Sequence, residues 1–347
     1  MSGRLFTREY AHWLARWEVL LIVIIAALLW LGTRLSPVFL SAQNFSNLTV
    51  GEMEIAIIAV AMTLIIIAGE IDLSVESMAG LASAVLGFLW AAGVPLSIGI
   101  PLVLGMGILG GLLNGILVMR AGLPSLVVTL GTLALFRGLA SVVLGPRAIS
   151  NFPAEFTAFG FGNVPGTAVP WPVVVFALLA AIVGLALHRT WFGRQVFAVG
   201  KNQATARYSG VPVVRLKTGL FMLSGLLAAL AGVILTSRLS SARSDAGTGM
   251  TLAVVTAVLL GGVNIFGGSG TISGVVLAVF TLAVLQNALR LADVSTELQS
   301  ISVGLLLIVS VVVPNLARQL AHILQRARAE RNPTRGAPER VPPYTPA

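Results

Sequence analysis

Glu70, Asp72 and Glu76 stand within seven residues in the stretch AGEIDLSVES, directly after the apolar run IAIIAVAMTLIII. Carboxylates this close could pass protons, hold a cation or hydrogen-bond a hydroxyl-rich solute, and an acidic residue inside a membrane is a functional candidate by default. A proton relay needs further carriers in line, and the centres of the apolar segments contain no other Asp, Glu or His. Asp72 and Ser74 equally suit a turn. Either side chain can accept from the free N–H groups that open the next helix, where acidic charge also suits the helix dipole. Turn cap and substrate contact both remain open at this point.

Uncharged polar residues are scattered through the apolar segments. Asn114, Thr129, Thr132, Gln286 and Asn287 are what a passage needs if a neutral polyol is to move through it without tight binding. Asn264 lies in the glycine run GGVNIFGGSG, Gly261 to Gly270. No Gly-Lys-Ser/Thr follows that run and no strand precedes it, so it is not a nucleotide loop. A glycine-rich break at membrane depth must be covered by protein or line a water-filled cavity. Asn264 therefore either offers its amide to a passage or belongs to a plain cytoplasmic turn.

No metal site or cofactor is expected. Cysteine is absent, and His12, His188 and His322 sit apart in basic flanks. Gly-x-Ser-x-Gly and His-Glu-x-x-His are also absent, which speaks against an enzyme.

The elements that must position these residues are set by composition. Of 347 residues, 56% are hydrophobic and 10% are charged, against roughly 25% charged in an ordinary soluble domain. The fold class expected is all-α, a polytopic membrane bundle with lipid as its surroundings. A crossing takes about 20 apolar residues, and ten segments qualify: 17–34, 50–69, 73–92, 95–118, 123–144, 170–188, 218–237, 250–266, 271–291 and 298–317. The first is read as a retained span after a basic leader, since no small-residue cleavage site follows it. Glycine pairs such as Gly111 with Gly115 and Gly270 with Gly274 would let helices approach closely.

The net charge of +9 is explained by cytoplasmic loops without any nucleic-acid partner. With the N-terminus inside, Arg4, Arg8, Arg16, Arg120, Arg189, Arg194, Lys201, Arg207, Arg215, Lys217 and six arginines from Arg318 onward face the cytoplasm. Arg34, Arg147, Arg238 and Arg243 fall outside, and Arg137 and Arg290 lie within spans. Both termini are thereby expected in the cytoplasm. Residues 1–326 are expected to form one transmembrane domain, and 327–347, rich in Pro, Arg and Glu, a disordered tail. The outside loop 145–169 carries Phe152, Phe156, Phe159 and Phe161, either a lid or an interfacial belt. The pieces GLLNG and GTISG hint at two related halves with a passage between them.

One cytoplasmic loop is long, residues 189–217. Asn202 is a good helix N-cap, Gly210 can end a helix and Pro212 prevents its continuation, which predicts a two-turn helix from Gln203 to Ser209. So short a helix is marginal alone and must dock, either on its own membrane domain or on a cytoplasmic partner. Its small residues Ala204, Ala206 and Ser209 would admit a close surface, with Arg207 to orient it.

The stretch VGKNQATARYSGVPVVRLK resembles the coupling loop of permeases from bacterial ATP-binding-cassette importers of the ribose and simple-sugar type. IDLSVES, LPSLVVTLGTLALFRG and AVLLGGVNIFGGSGTISGVVLAVFTLAVLQNALRL extend the resemblance over most of the chain, although Glu70 and Glu76 stand where that family usually has glycine. ARSDAGTG and LQNALRLADVSTELQ look most like the rhamnose and autoinducer-2 branches. The resemblance implies import of a monosaccharide or sugar-like polyol from a periplasmic binding protein. It also implies a separate ATPase subunit and a second permease copy, identical or paralogous. Gly200, Lys201, Asn202, Ala204, Ala206, Arg207, Ser209 and Gly210 would then form the ATPase-coupling loop. The competing reading is a secondary transporter coupled to protons or sodium, with Glu70, Asp72, Glu76 and Asp293 as its only candidate ion ligands.

Overall fold

The computed structural model describes residues 17–167 and 169–312, and regular structure there is helical. The helices are α1 (Trp17–Leu35), α2 (Ala42–Gly51), α3 (Met53–Ile67), α4 (Val75–Ala91) and α5 (Leu96–Met119). α6 (Ser125–Leu144), α7 (Ala154–Phe161), α8 (Trp171–Arg189), α9 (Trp191–Lys201) and α10 (Gln203–Tyr208) follow. Then come α11 (Val213–Leu239), α12 (Met250–Leu260), α13 (Ile272–Leu291) and α14 (Thr296–Val312). Isolated bridges join Ile149 to Ala242 and Asn163 to Pro170. The basic leader with Arg4, Arg8, Arg16 and His12, the end of the last apolar segment, and the tail 327–347 lie outside the described residues.

Among the described residues six helices (α1, α5, α6, α8, α11 and α13) are long and apolar enough to cross a membrane, and the pair α2 and α3, bent by 43°, brings the number to seven if it counts as one span. Three of the ten segments read from hydropathy hold helices that differ from a single full-length span. The second is lengthened by α2, too polar to register, whose start is capped by Ser41 accepting from the Asn44 N–H at 3.2 Å. The third, α4, has 17 residues and the eighth, α12, only 11. Gly249 at φ +86° and Gly262 at φ +83° bracket α12, and left-handed glycines of this kind stop a helix at both ends.

At the centre stands α3. Every residue of it except Ile55 is buried, as a helix apolar on all sides but for Glu54 and Thr63 requires. It is surrounded by α8, α11, α12 and α13. α5 and α11 form the closest pair, because a Cβ on Gly107 would lie 2.5 Å from the Gly225 carbonyl oxygen and one on Gly111 would strike that of Phe221. Gly115 meets Thr218 and Gly274 meets the Gly261 carbonyl, so the pair Gly111 and Gly115 sits at a helix contact, whereas Gly270 of the second pair lies in the turn before α13. Large apolar side chains on α1, α5, α6, α8 and α14, among them Trp30, Leu109, Val142, Leu178 and Ile308, point outward, as contact with lipid tails requires.

The bundle has two chemically distinct ends. One collects the C-terminus of α5 with Arg120, the C-terminus of α8 with Arg189, helices α9 and α10, and the start of α11 with Arg215 and Lys217; it is called here the loop end. At the opposite end α7 covers the terminus of α11: Gly160 packs on the Arg238 backbone, and the Ser237 hydroxyl donates to the Phe156 carbonyl. Phe152 is buried between Trp90 and Phe156, with ring centroids 6.0 and 5.2 Å away, and Phe159 stacks on Trp171 at 6.3 Å. The four phenylalanines therefore divide, since Phe161 alone is largely exposed.

Candidate coupling face and passage

The loop 189–217 folds into two helices where the sequence suggested one. α9 is amphipathic, burying Gly193, Val196 and Val199 and exposing Trp191 and Arg194. It is seated by a glycine contact: a Cβ on Gly200 would overlap the Ile67 carbonyl at the end of α3, and that same carbonyl accepts from the Gly268 N–H at 2.8 Å. Lys201 lies against Gly268. Asn202 then caps α10, its Oδ1 accepting from the Thr205 N–H at 2.9 Å, and Gly210 at φ +85° ends it one residue earlier than the sequence suggested. Ala206 points inward and is buried, whereas Ala204, Arg207, Ser209 and Gly210 are exposed. Tyr208, 92% exposed, projects from the same bare face.

The acidic stretch goes to three different places. Glu70, just past α3, accepts from Lys217 Nζ at 2.6 Å. Asp72 is buried, and Oδ1 accepts from the Ser74 N–H at 3.0 Å and the Ser74 hydroxyl at 2.6 Å, while Oδ2 accepts from the Ser224 hydroxyl at 2.7 Å. Ser74 itself makes no capping bond. Ser224 lies seven residues along α11 from Lys217, about 10 Å at the helical rise. The turn thus leaves the loop end and climbs back into the bundle, so α4 begins at depth. Glu76 caps another helix: Oε2 accepts from the N–H groups of Gly249 and Thr251 at the start of α12 at 3.1 and 3.0 Å, and Oε1 is 3.3 Å from Arg137. Arg137 also donates to the Thr248 hydroxyl at 2.5 Å.

That cap fixes an irregular piece of chain inside the bundle. Ala242 packs on Gly87, the Ala246 carbonyl on Gly80 and Gly249 on Glu76, so residues 242–249 run beside α4 for about 16 Å. Irregular backbone at such depth persists only where protein covers it or a wet cavity borders it. Both conditions hold. A cavity of 490 Å³ is lined by Thr248, Gln286, Arg290, Thr296, Gln299 and Ser300, with Ile55, Met250 and Val303 among its apolar walls. A neighbouring cavity of 340 Å³ shares Ile55, Thr248 and Met250 and is bordered by Glu54, Arg238, Arg243 and Asp245. Glu54, fully buried, pairs with Arg238 at 2.7 Å. Exposed Arg243 donates to both carboxylate oxygens of Asp245 at 2.8 Å.

Of the polar residues picked from the sequence, Gln286 lines the larger cavity. Asn114 is buried and donates to the Ser74 hydroxyl at 2.9 Å, joining the Asp72 network. Thr129 and Thr132 are buried and donate to carbonyls one turn back, Ser125 at 2.8 Å and Val128 at 3.1 Å. Asn287 is paired reciprocally with Asn44 at 2.9 and 3.0 Å. Asn264 closes its own turn, its Oδ1 accepting from the Phe266 N–H at 3.1 Å. Sequence reasoning passed over Thr248, Arg290, Gln299, Ser300 and Lys217. The glycines of DAGTG were the available signal for the first; Lys217 in VVRLK reads only as a basic flank.

Comparison with known proteins accounts for this arrangement. Residues 44–311 match the family model described as "Branched-chain amino acid transport system / permease component". The chain is 41% identical over 284 residues to the Autoinducer 2 import system permease protein LsrD of Yersinia enterocolitica, covering 80% of this chain and 85% of that protein. The protein of the same name from Yersinia pseudotuberculosis is 40% identical over 286 residues, with the same coverage of both chains. No solved structure gives a significant match. A family model spanning most of the chain, with helices to cross the bilayer and a helical loop left bare at the basic end, leads to one class: the chain belongs to this permease family, whose members are inner-membrane transport subunits of ATP-binding-cassette importers and not enzymes.

Proposed function

We propose that this subunit passes a small, uncharged, hydroxyl-rich solute of the autoinducer-2 or simple-sugar kind into the cytoplasm. A binding protein outside delivers it, and an ATPase docks on α10. The observation that carries this reading is the bare face of α10, with Ala204, Arg207 and Tyr208 exposed while Ala206 seats the helix on the bundle. The names of the relatives support the solute class. Ten crossings with both termini in the cytoplasm put Arg120, Arg189, Arg194, Lys201, Arg207 and Arg215 on the cytoplasmic side, as the positive-inside rule favours. Residues 1–326 form the permease domain, a second permease copy completes the passage, and the polar breaks before α4 and α12 mark its two related halves.

The larger cavity is the passage's wall in this subunit. Its amides, hydroxyls and the Arg290 guanidinium suit hydroxyl groups. Of the carboxylates that the ion-coupled alternative would use, Glu70, Asp72 and Glu76 each already hold donors from neighbouring helices. Replacing Gln286 or Arg290 by leucine is expected to raise the solute concentration for half-maximal uptake by about 5–10-fold each, the worth of about one hydrogen bond. Transport assays in vesicles read this directly; unchanged uptake in both variants would remove the cavity from the route.

A further inference from the structure

α10 is only six residues long, yet its first side chain is tied into the membrane domain. Lys217 Nζ donates to Gln203 Oε1 at 2.6 Å and to Glu70 Oε1 at 2.6 Å. Lys217 is 3% exposed. Gln203 opens α10, Lys217 belongs to the first turns of α11, and Glu70 follows α3, so one ammonium group joins three elements. The Glu70 backbone continues the end of α3, its N–H donating to the Ile65 carbonyl at 3.1 Å. A second contact reinforces the joint, since Gly200 of α9 rests on the Ile67 carbonyl.

From there α3 runs, buried except at Ile55, to the opposite end of the bundle. Its fifteen residues span about 22 Å, and its far end carries Glu54 on Arg238 and Ile55 in the walls of both cavities. A close-packed helix moves as a unit rather than by continuous deformation. A displacement of α10 therefore has a short mechanical route to the cavities, and that route begins at Lys217.

We propose that Lys217, clasped between Gln203 and Glu70, is a positioning residue that carries the motion of the coupling helix to α3, and through α3 to the cavity walls. This rests on α10 being the ATPase-docking helix.

The test separates transmission from folding. Removing one partner would leave a buried charge unpaired, but replacing both by apolar residues of similar size removes that penalty. The variant Glu70→Leu/Lys217→Met is therefore compared with the unaltered chain in vesicles containing the ATPase and binding protein. Its ATPase co-purification and basal ATP hydrolysis should be unchanged. Stimulation of hydrolysis by loaded binding protein, and uptake with it, should fall about 10-fold or more, within the usual span of coupling between sites. The exchanged pair Glu70→Lys/Lys217→Glu should recover part of both, because the Gln203 amide can donate to a carboxylate as well as accept from an ammonium. Stimulation and uptake at the unaltered level in the apolar variant would overturn the proposal, as would loss of ATPase binding. Absence of ATP-driven uptake with the unaltered chain would instead overturn the docking role of α10.

Discussion

The double substitution Ala204→Glu/Tyr208→Ala is expected to lower ATP-driven uptake by about 100-fold, the scale of losing an aromatic anchor worth about 2–4 kcal/mol at an interface. Insertion and thermal stability should stay within reach of the unaltered protein, because both side chains face away from the bundle. ATPase co-purification should fall in parallel. Ala206→Glu is the instructive contrast. Ala206 is buried against the subunit itself, so a charge there disturbs the seat of α10 and reduces stability as well as docking. If the exposed pair can be changed without loss of ATPase binding, the contact surface lies elsewhere.

Asp72→Ala should be the most destabilising single change in the acidic stretch. Three donors lose one buried acceptor, the N–H and hydroxyl of Ser74 and the hydroxyl of Ser224, and a loss of about 3–5 kcal/mol follows from bonds of about 1.5–3 kcal/mol each to a charged group, with partial relaxation. Asn114, which donates to Ser74, would be loosened with them. Asp72→Asn keeps one acceptor oxygen and should fall between. The readout is the melting temperature in detergent together with the amount of protein in the membrane. A proton carrier would give the reverse pattern, Asp72→Asn abolishing transport while stability stayed intact.

The helical class, the order of the apolar elements and the site of α10 were legible because each leaves a local signal. Asn202, Gly210 and Pro212 bracket α10 within eleven residues, and hydropathy marks every long helix. What was not legible depends on contacts distant in sequence. Glu70 reads as the end of a span until Lys217, 147 positions away, is seen beside it. Glu76 looks like an ordinary first-turn acid of α4, yet it holds the start of α12, 173 positions on. Hydropathy also missed the irregular run 242–249, since residues without a periodic apolar face look like a surface loop. Asn114, Thr129 and Asn287 show the converse. Polar residues in apolar helices suggest a passage, but bonds to a neighbouring helix or to the preceding turn satisfy them equally well.

The docking of an ATPase on this chain is tested most directly by reconstitution. Vesicles would contain the unaltered subunit, a candidate ATPase, the second permease copy and a binding protein loaded with an autoinducer-2-type polyol, and solute uptake would be followed with ATP present or withheld and with the proton gradient intact or collapsed. The expected result is uptake that requires ATP and the ATPase and ignores the gradient. Uptake that proceeds without the ATPase and stops when the gradient is removed would contradict it.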